Sequence, residues 1–116
     1  MNIAITGAAS GLGKVVAERF SAAGHRVFGC DVSKDGIADL AGRGSVSLAK
    51  CVDVSDPRQI EAWFSDIFAQ TARLDVLVNN VGVAGPHADV TELSLKDWHA
   101  TLNANLHSAL VTMQLA

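Results

Sequence analysis

The sequence has no tyrosine, two cysteines, and four phenylalanines and two tryptophans as its only aromatics. Without tyrosine, no phenol within the 116 residues can donate or accept a proton. Cys30 and Cys51 do not form a C-x-x-C pair, which removes a dithiol redox centre. In a cytosolic protein they are expected to be free, buried thiols. No apolar run approaches bilayer length. Met1-Asn2-Ile3-Ala4 lacks the basic start of a signal peptide, so the protein is read as cytoplasmic, with no membrane partner. Lysines and arginines are scattered and the net charge is −3, which argues against a nucleic-acid partner. His25, His87, His99 and His107 follow no metal-ligand spacing, and no Ser-His-Asp geometry can be argued. Neither a metal site nor a hydrolase site is expected.

What is present suits an ordinary folded domain. The chain is 49% hydrophobic and 18% charged over 116 residues, and residues 1–116 are read as one domain. Asn2 to Thr6 is an apolar run ending at Gly7. Leu12, Val15, Val16, Phe20 and Ala23 recur at helical spacing, with Gly24 as the stop. Arg26 to Asp31 reads as a second strand. Ile37, Ala38, Leu40 and Ala41 suggest a short helix closed by Gly42, and Val46 to Asp53 contains a third strand. Asp56 and Pro57 suit the N-cap and first position of a helix, with Gln59 completing a capping box. Ile60, Trp63, Phe64, Ile67 and Phe68 form its buried stripe. Leu74 to Val78 is a fourth strand. A long loop from Val81 to Leu93 leads to a last helix capped by Ser94, with Trp98, Leu102, Leu106, Ala109, Leu110 and Met113 on one face. Near-continuous apolar strands alternating with amphipathic helices predict an α/β fold with a parallel sheet.

Thr6-Gly7-Ala8-Ala9-Ser10-Gly11-Leu12-Gly13 joins the first strand to the first helix. A bound pyrophosphate needs a tight turn, close approach of the backbone, and a helix whose free N–H groups point at the phosphates. Glycine serves the first two because it has no Cβ. The helix N-terminus serves the third through unpaired donors and its partial positive charge. The alternative is an ordinary glycine-rich turn. The position, directly after a strand and at the opening of a helix, favours the phosphate reading.

The spacing T-G-x-x-x-G-x-G resembles the short-chain dehydrogenase/reductase family. Asp31 ending the second strand, Asp53-Val54 ending the third, Asn79-Asn80-Val81-Gly82 ending the fourth, and Trp98 and Asn105 in the last helix fall into the same register. The resemblance covers essentially the whole chain. It implies a Rossmann-like doubly wound sheet in the order 3-2-1-4, seen only as the N-terminal NAD-binding half and truncated before a fifth strand. Gly7, Ser10, Gly11, Leu12 and Gly13 would then hold the pyrophosphate. Asp31 lies 18 residues beyond Gly13, close to the spacing at which a carboxylate meets the adenosine ribose hydroxyls and repels a 2′-phosphate. Ser10 and Val32 stand where NADP users often carry a basic residue, so the expected cofactor is NAD. Lys34 is nearby, and Asp31 can also be read as a solvated turn residue.

The resemblance also implies that Asp53 and the Val54 backbone meet the adenine. Asp53 could equally be a residue approaching the helix that starts at Asp56-Pro57. Asn80, Val81 and Gly82 match the family's N-N-A-G turn, with Val81 in place of alanine, and are expected to support the sheet and wall the cofactor ribose. Asn105 lies seven residues after Trp98, which puts it on the apolar face with Leu102 and Leu106, while Asn103 points elsewhere. An asparagine there needs polar partners. It is either the family's catalytic asparagine, which kinks the helix, or a buried asparagine satisfied by the neighbouring loop.

The family reaction further requires a Tyr-x-x-x-Lys acid/base pair and an upstream serine in reach of the reacting oxygen. None of these can be assigned here, so the 116-residue chain alone is expected to be inactive. The leading expectation is an NAD-dependent oxidoreductase interconverting a small alcohol and a carbonyl, represented by its cofactor-binding half. The alternative is a truncated, non-catalytic NAD-binding or self-associating module. The fourth strand is expected to present an exposed apolar edge, and a homo-oligomer is expected, since in the family this last helix often packs in a subunit interface.

Overall fold

The computed structural model describes every residue except Ser45. Four strands, β1 (Asn2–Thr6), β2 (Arg26–Asp31), β3 (Leu48–Cys51) and β4 (Val76–Val78), form one sheet in the order β3-β2-β1-β4. All three pairings are parallel, with Ile3 opposite Val27 and Val76, and Gly29 opposite Ala49. The helices between them are α1 (Gly11–Ala22), α2 (Lys34–Gly42) and α3 (Pro57–Phe68). After β4 come α4 (Leu95–Leu102), a π turn (Asn103–His107) and α5 (Ser108–Leu115). This is the expected Rossmann-like doubly wound architecture and strand order. No helix among the described residues is long and apolar enough to cross a membrane.

Alternation along the strands builds a core on each face of the sheet. Ile3, Ile5 and Val27 turn to one face, where Ala17, Ile37 and Leu40 of α1 and α2 cover them. Ala4, Phe28 and Cys30 turn to the other, against Ile60, Trp63, Phe64 and Ile67 of α3, with Val111 and Leu115 of α5 alongside. Trp63 and Phe64 meet edge-on with ring centroids 5.2 Å apart, a preferred aromatic geometry.

Several side chains face differently from the sequence expectation. In α1 the inward stripe is Gly13, Val16, Ala17 and Phe20, whereas Ala23 is exposed, Val15 is half exposed and Leu12 is 71% exposed. The start of α1 lies too close to the sheet for a large side chain, so the smallest residues face in. Phe68, at the end of α3, is partly exposed, and Cys51 is exposed while Cys30 is buried. Burial, followed by the neighbouring Asp31 charge, pushes the Cys30 thiol far above its ordinary range and keeps it unreactive. Asp56 caps α3 by accepting from the Arg58 N–H. Gln59 does not close a capping box, because its side-chain oxygen accepts from the Asp53 N–H instead.

The largest departure is in the last helical segment. It is two helices joined by a π turn, and its inward face is Ala104, Ser108, Val111, Thr112 and Leu115. The apolar face formed by Trp98, Leu106, Leu110 and Met113 points outward. Hydroxyls are tolerated inside because each is bonded: Ser108 donates to the Ala104 carbonyl at 2.6 Å, and Thr112 to Asn79 Oδ1 at 2.7 Å. Among the described residues β4 pairs only with β1, and its three residues are half-buried.

Candidate functional site

The chain leaves the C-terminal end of every strand through a loop, and these loops border one cleft of about 450 Å³. It opens where β1 stands between β2 and β4, the point at which the strand order reverses, which is where ligands bind in open α/β sheets. Gly7, Ser10, Gly11, Leu12, Asp31, Asp53, Val54, Asn80, Val81 and Gly82 all line it. Gly13 and Asn105 do not. Val32, noted for its place after Asp31, lines it as well, and so do Val52, Ser55, Val83 and Ala104, which carried no sequence signal that singled them out.

The loop after β1 is shaped by two glycines. Gly7 has φ +64°, where a side chain is strained. Gly13 has no room at all: a Cβ there would lie 2.0 Å from the Gly7 carbonyl oxygen and 2.5 Å from Asn80 Nδ2. The first turn of α1 is thereby pressed against the end of β1. Asn80 locks this arrangement, its Nδ2 donating to the Thr6 and Gly7 carbonyl oxygens at 3.1 Å each. The Thr6 hydroxyl oxygen accepts from the Asn80 and Val81 backbone N–H groups at 3.0 and 3.2 Å. Thr6 and Asn80 therefore clamp β1 to β4 immediately beneath the cleft.

The N-terminus of α1 is open. Ser33, Asp56 and Ser94 each cap their helix through a side-chain oxygen, but Ser10 makes no side-chain cap to α1. The first backbone hydrogen bond into α1 comes from Lys14 N–H to the Ser10 carbonyl. The N–H groups of Gly11, Leu12 and Gly13 precede it and lack intrahelical acceptors. No acidic residue sits in that first turn to neutralise the dipole. Backbone donors, positive helix end and glycine cradle converge on the same side of the cleft.

Asp31 closes the opposite end of the β2 loop. It is 9% exposed; Oδ2 accepts from the Ala9 N–H and Oδ1 from the Ser33 N–H, both at 3.0 Å. It thus holds the loop after β1 to the loop after β2 while lining the cleft. Each carboxylate oxygen keeps a further lone pair. Asp53 accepts from the Ser55 N–H at 2.9 Å, shaping the turn into α3.

Asn105 sits in the π turn and is exposed, not buried on an apolar stripe. Its amide pairs twice with one residue of the long loop: Oδ1 accepts from the Val83 N–H at 2.7 Å and Nδ2 donates to the Val83 carbonyl at 2.8 Å. A π turn inserts one residue into the helical ladder, which rotates this amide toward the loop. Val83 itself lines the cleft, so Asn105 positions the cleft wall from behind. Gly85, with φ +71°, runs close by; a Cβ there would come within 2.6 Å of Thr101 Oγ1.

Fold and cleft together define a Rossmann-like, doubly wound α/β protein with a cleft at its strand ends. A family model described as enoyl-(acyl carrier protein) reductase matches residues 7–116. The chain belongs to the short-chain dehydrogenase/reductase family, a family of oxidoreductases. The short chain dehydrogenase/reductase dpfgG of Gibberella zeae is 35% identical over 116 residues, covering 97% of this chain and 43% of its own length. The D-threitol dehydrogenase of Mycolicibacterium smegmatis is 35% identical over 114 residues, covering 95% of this chain and 44% of its own. Among solved structures, the 3-ketoacyl-(acyl-carrier-protein) reductase of Brucella melitensis complexed with NADH superposes with a TM-score of 0.89 at 25% identity, over 97% of this chain and 47% of that one. The 3-ketoacyl-ACP reductase of Sinorhizobium meliloti does so with a TM-score of 0.90 at 28% identity, over 99% and 47%. The chain thus spans less than half the length of these relatives.

Proposed function

We propose that the 116 residues are the NAD-binding part of an oxidoreductase that interconverts a small alcohol and a carbonyl compound. The observation that carries this reading is the uncapped N-terminus of α1, facing the cleft beside a glycine turn packed so tightly that a Cβ at Gly13 would strike the Gly7 carbonyl. Such a helix end suits an anion such as a pyrophosphate. Gly7, Ser10, Gly11 and Leu12 would hold the pyrophosphate, with Gly13 allowing the close approach behind them. Asp31 would accept from the adenosine ribose. Asp53 and Val54 would meet the adenine, and Asn80, Val81 and Gly82 would wall the second ribose. Bound there, the nicotinamide supplies or accepts a hydride. Asn105 acts through the Val83 backbone, fixing the wall against which the reacting end lies.

NAD is favoured over NADP because Asp31 is a carboxylate and neither Ser10 nor Val32 offers a positive charge to a 2′-phosphate. Calorimetric titration of the chain is expected to give micromolar NAD binding and NADP binding weaker by about tenfold or more, about 1.4 kcal/mol. Absence of NAD binding removes the reading; equal binding of both removes the cofactor preference.

The outward apolar face of Trp98, Leu106, Leu110 and Met113 supports a homo-oligomer. Sedimentation is expected to give a mass at least twice 12.1 kDa; a monomer at micromolar concentration speaks against it. A cytosolic setting suits the two free thiols. The lack of tyrosine favours a second reading for these residues taken alone, a non-catalytic NAD-binding or self-associating module. Turnover of any alcohol by the chain itself eliminates that second reading.

A further inference from the structure

A second cavity, of about 230 Å³, adjoins the cleft and shares Val54 and Ser55 with it. It lies between the start of α3 and the π turn. Pro57 and Val111 give it apolar walls, and Ser55, Asn103, His107 and Ser108 give it polar ones. A single water needs roughly 10–15 Å³ on this measure, so the space admits a short chemical substituent with ease.

The polar groups differ in what they can still bind. The Ser108 hydroxyl donates to the Ala104 carbonyl. Ser55 Oγ makes no hydrogen bond among the described residues, although its backbone N–H donates to Asp53. Asn103 Oδ1 lies 2.7 Å from His107 Nδ1. An amide oxygen only accepts, so Nδ1 carries a ring proton, and Nε2 makes no hydrogen bond among the described residues. Asn103 Nδ2 is left as a donor. Donors and an acceptor on neighbouring walls match a group that does both, such as a hydroxyl. Asp53, two residues before Ser55, has no cationic partner among the described residues, whereas Asp56 pairs with Arg58, which leaves a net negative charge near Ser55 and disfavours an anion.

We propose that this cavity is an annex of the nucleotide cleft, admitting an uncharged hydroxyalkyl substituent on the amino edge of the adenine ring. The hydroxyl accepts from Asn103 Nδ2, donates to Ser55 Oγ and lies against His107. The proposal rests on the reading that Asp53 and Val54 meet the adenine: a carboxylate only accepts and the amino group is the ring's donor, so the amino edge faces Asp53, next to Val54 and Ser55, which line both spaces. The adenine end of this site is therefore open to modified dinucleotides.

The test is calorimetry of the 116-residue chain with NAD and with NAD bearing a hydroxyethyl group on the adenine amino nitrogen. The analogue is expected to bind within about threefold of NAD. The double variant Asn103→Leu/His107→Leu changes two exposed positions outside the nucleotide cleft. It is expected to weaken the analogue by about tenfold and leave NAD unchanged. An analogue more than about threefold weaker than NAD on the unmodified chain, or a double variant that weakens both ligands alike, overturns the annex while the cofactor reading stands. Failure of NAD itself to bind removes the cofactor reading, and the annex with it.

Discussion

Gly13→Ala is expected to destabilise the chain by about 3 kcal/mol and, under the cofactor assignment, to abolish NAD binding. The added methyl carbon would sit 2.0 Å from the Gly7 carbonyl oxygen and 2.9 Å from its carbonyl carbon. Both are backbone atoms, so no rotamer change relieves the clash. Relief requires α1 to move away from the end of β1. That movement strains the two hydrogen bonds from Asn80 to the Thr6 and Gly7 carbonyls and turns the free N–H groups of α1 away from the cleft. A domain with about 5–15 kcal/mol of total stability feels such a loss strongly. Gly11→Ala is the informative comparison. A Cβ at Gly11 meets nothing, and only its φ of +49° opposes a side chain, at about 1–2 kcal/mol. Urea unfolding of both variants measures the difference. Equal midpoints for Gly13→Ala and the unmodified chain would mean that α1 does not approach β1 this closely.

The second large effect is expected at Asp31. Replacement by alanine removes two backbone partners at once, the Ala9 and Ser33 N–H groups. The Ala9 bond is buried, and leaving such a donor unpaired costs about 1–3 kcal/mol. Under the cofactor assignment the variant also loses its acceptor for the ribose, weakening NAD by about tenfold to a hundredfold. NADP loses less, because the repulsion of its 2′-phosphate disappears with the carboxylate, so the preference for NAD narrows. Loosening of the loop weakens both cofactors by the same factor, and the ratio of the two affinities isolates the specific role. An unchanged ratio in Asp31→Ala, measured by calorimetry with both cofactors, sinks the assignment of Asp31 to cofactor choice.

Asn80 and Asn105 show where legibility in the sequence stops. The Asn79-Asn80 pair was recognisable as the end of a strand, but the atoms Asn80 binds lie 73 and 74 residues away. Pattern in a short window carries no information about such a partner. The same holds for Thr112, which reaches Asn79 from α5. Asn105 was recognisable as an asparagine needing partners, yet helical spacing assigned it to a buried stripe. The π turn shifts the register by a residue, and the tertiary contact with Val83 selects that shift. Leu12 misled for a related reason. Hydrophobic periodicity ranks large side chains as inward, while the close contact of the start of α1 with β1 leaves room only for Gly13, and Val16, Ala17 and Phe20 face inward after it.

By itself the sequence determined the four strands, the first three helices, their order and the glycine-rich turn between β1 and α1. Strand runs, helix periodicity, caps such as Asp56-Pro57 and the glycine spacing are all local, and local patterns bias the backbone directly. Family membership followed from the same short motifs. Only the tertiary structure decided which faces turn inward, how Thr6, Asn80 and Asp31 tie separate loops into one cleft, and that a second cavity opens behind Val54 and Ser55. Those features depend on side chains brought together from distant parts of the chain, where close packing and the need to pair every buried polar group choose among arrangements that the local pattern leaves equal.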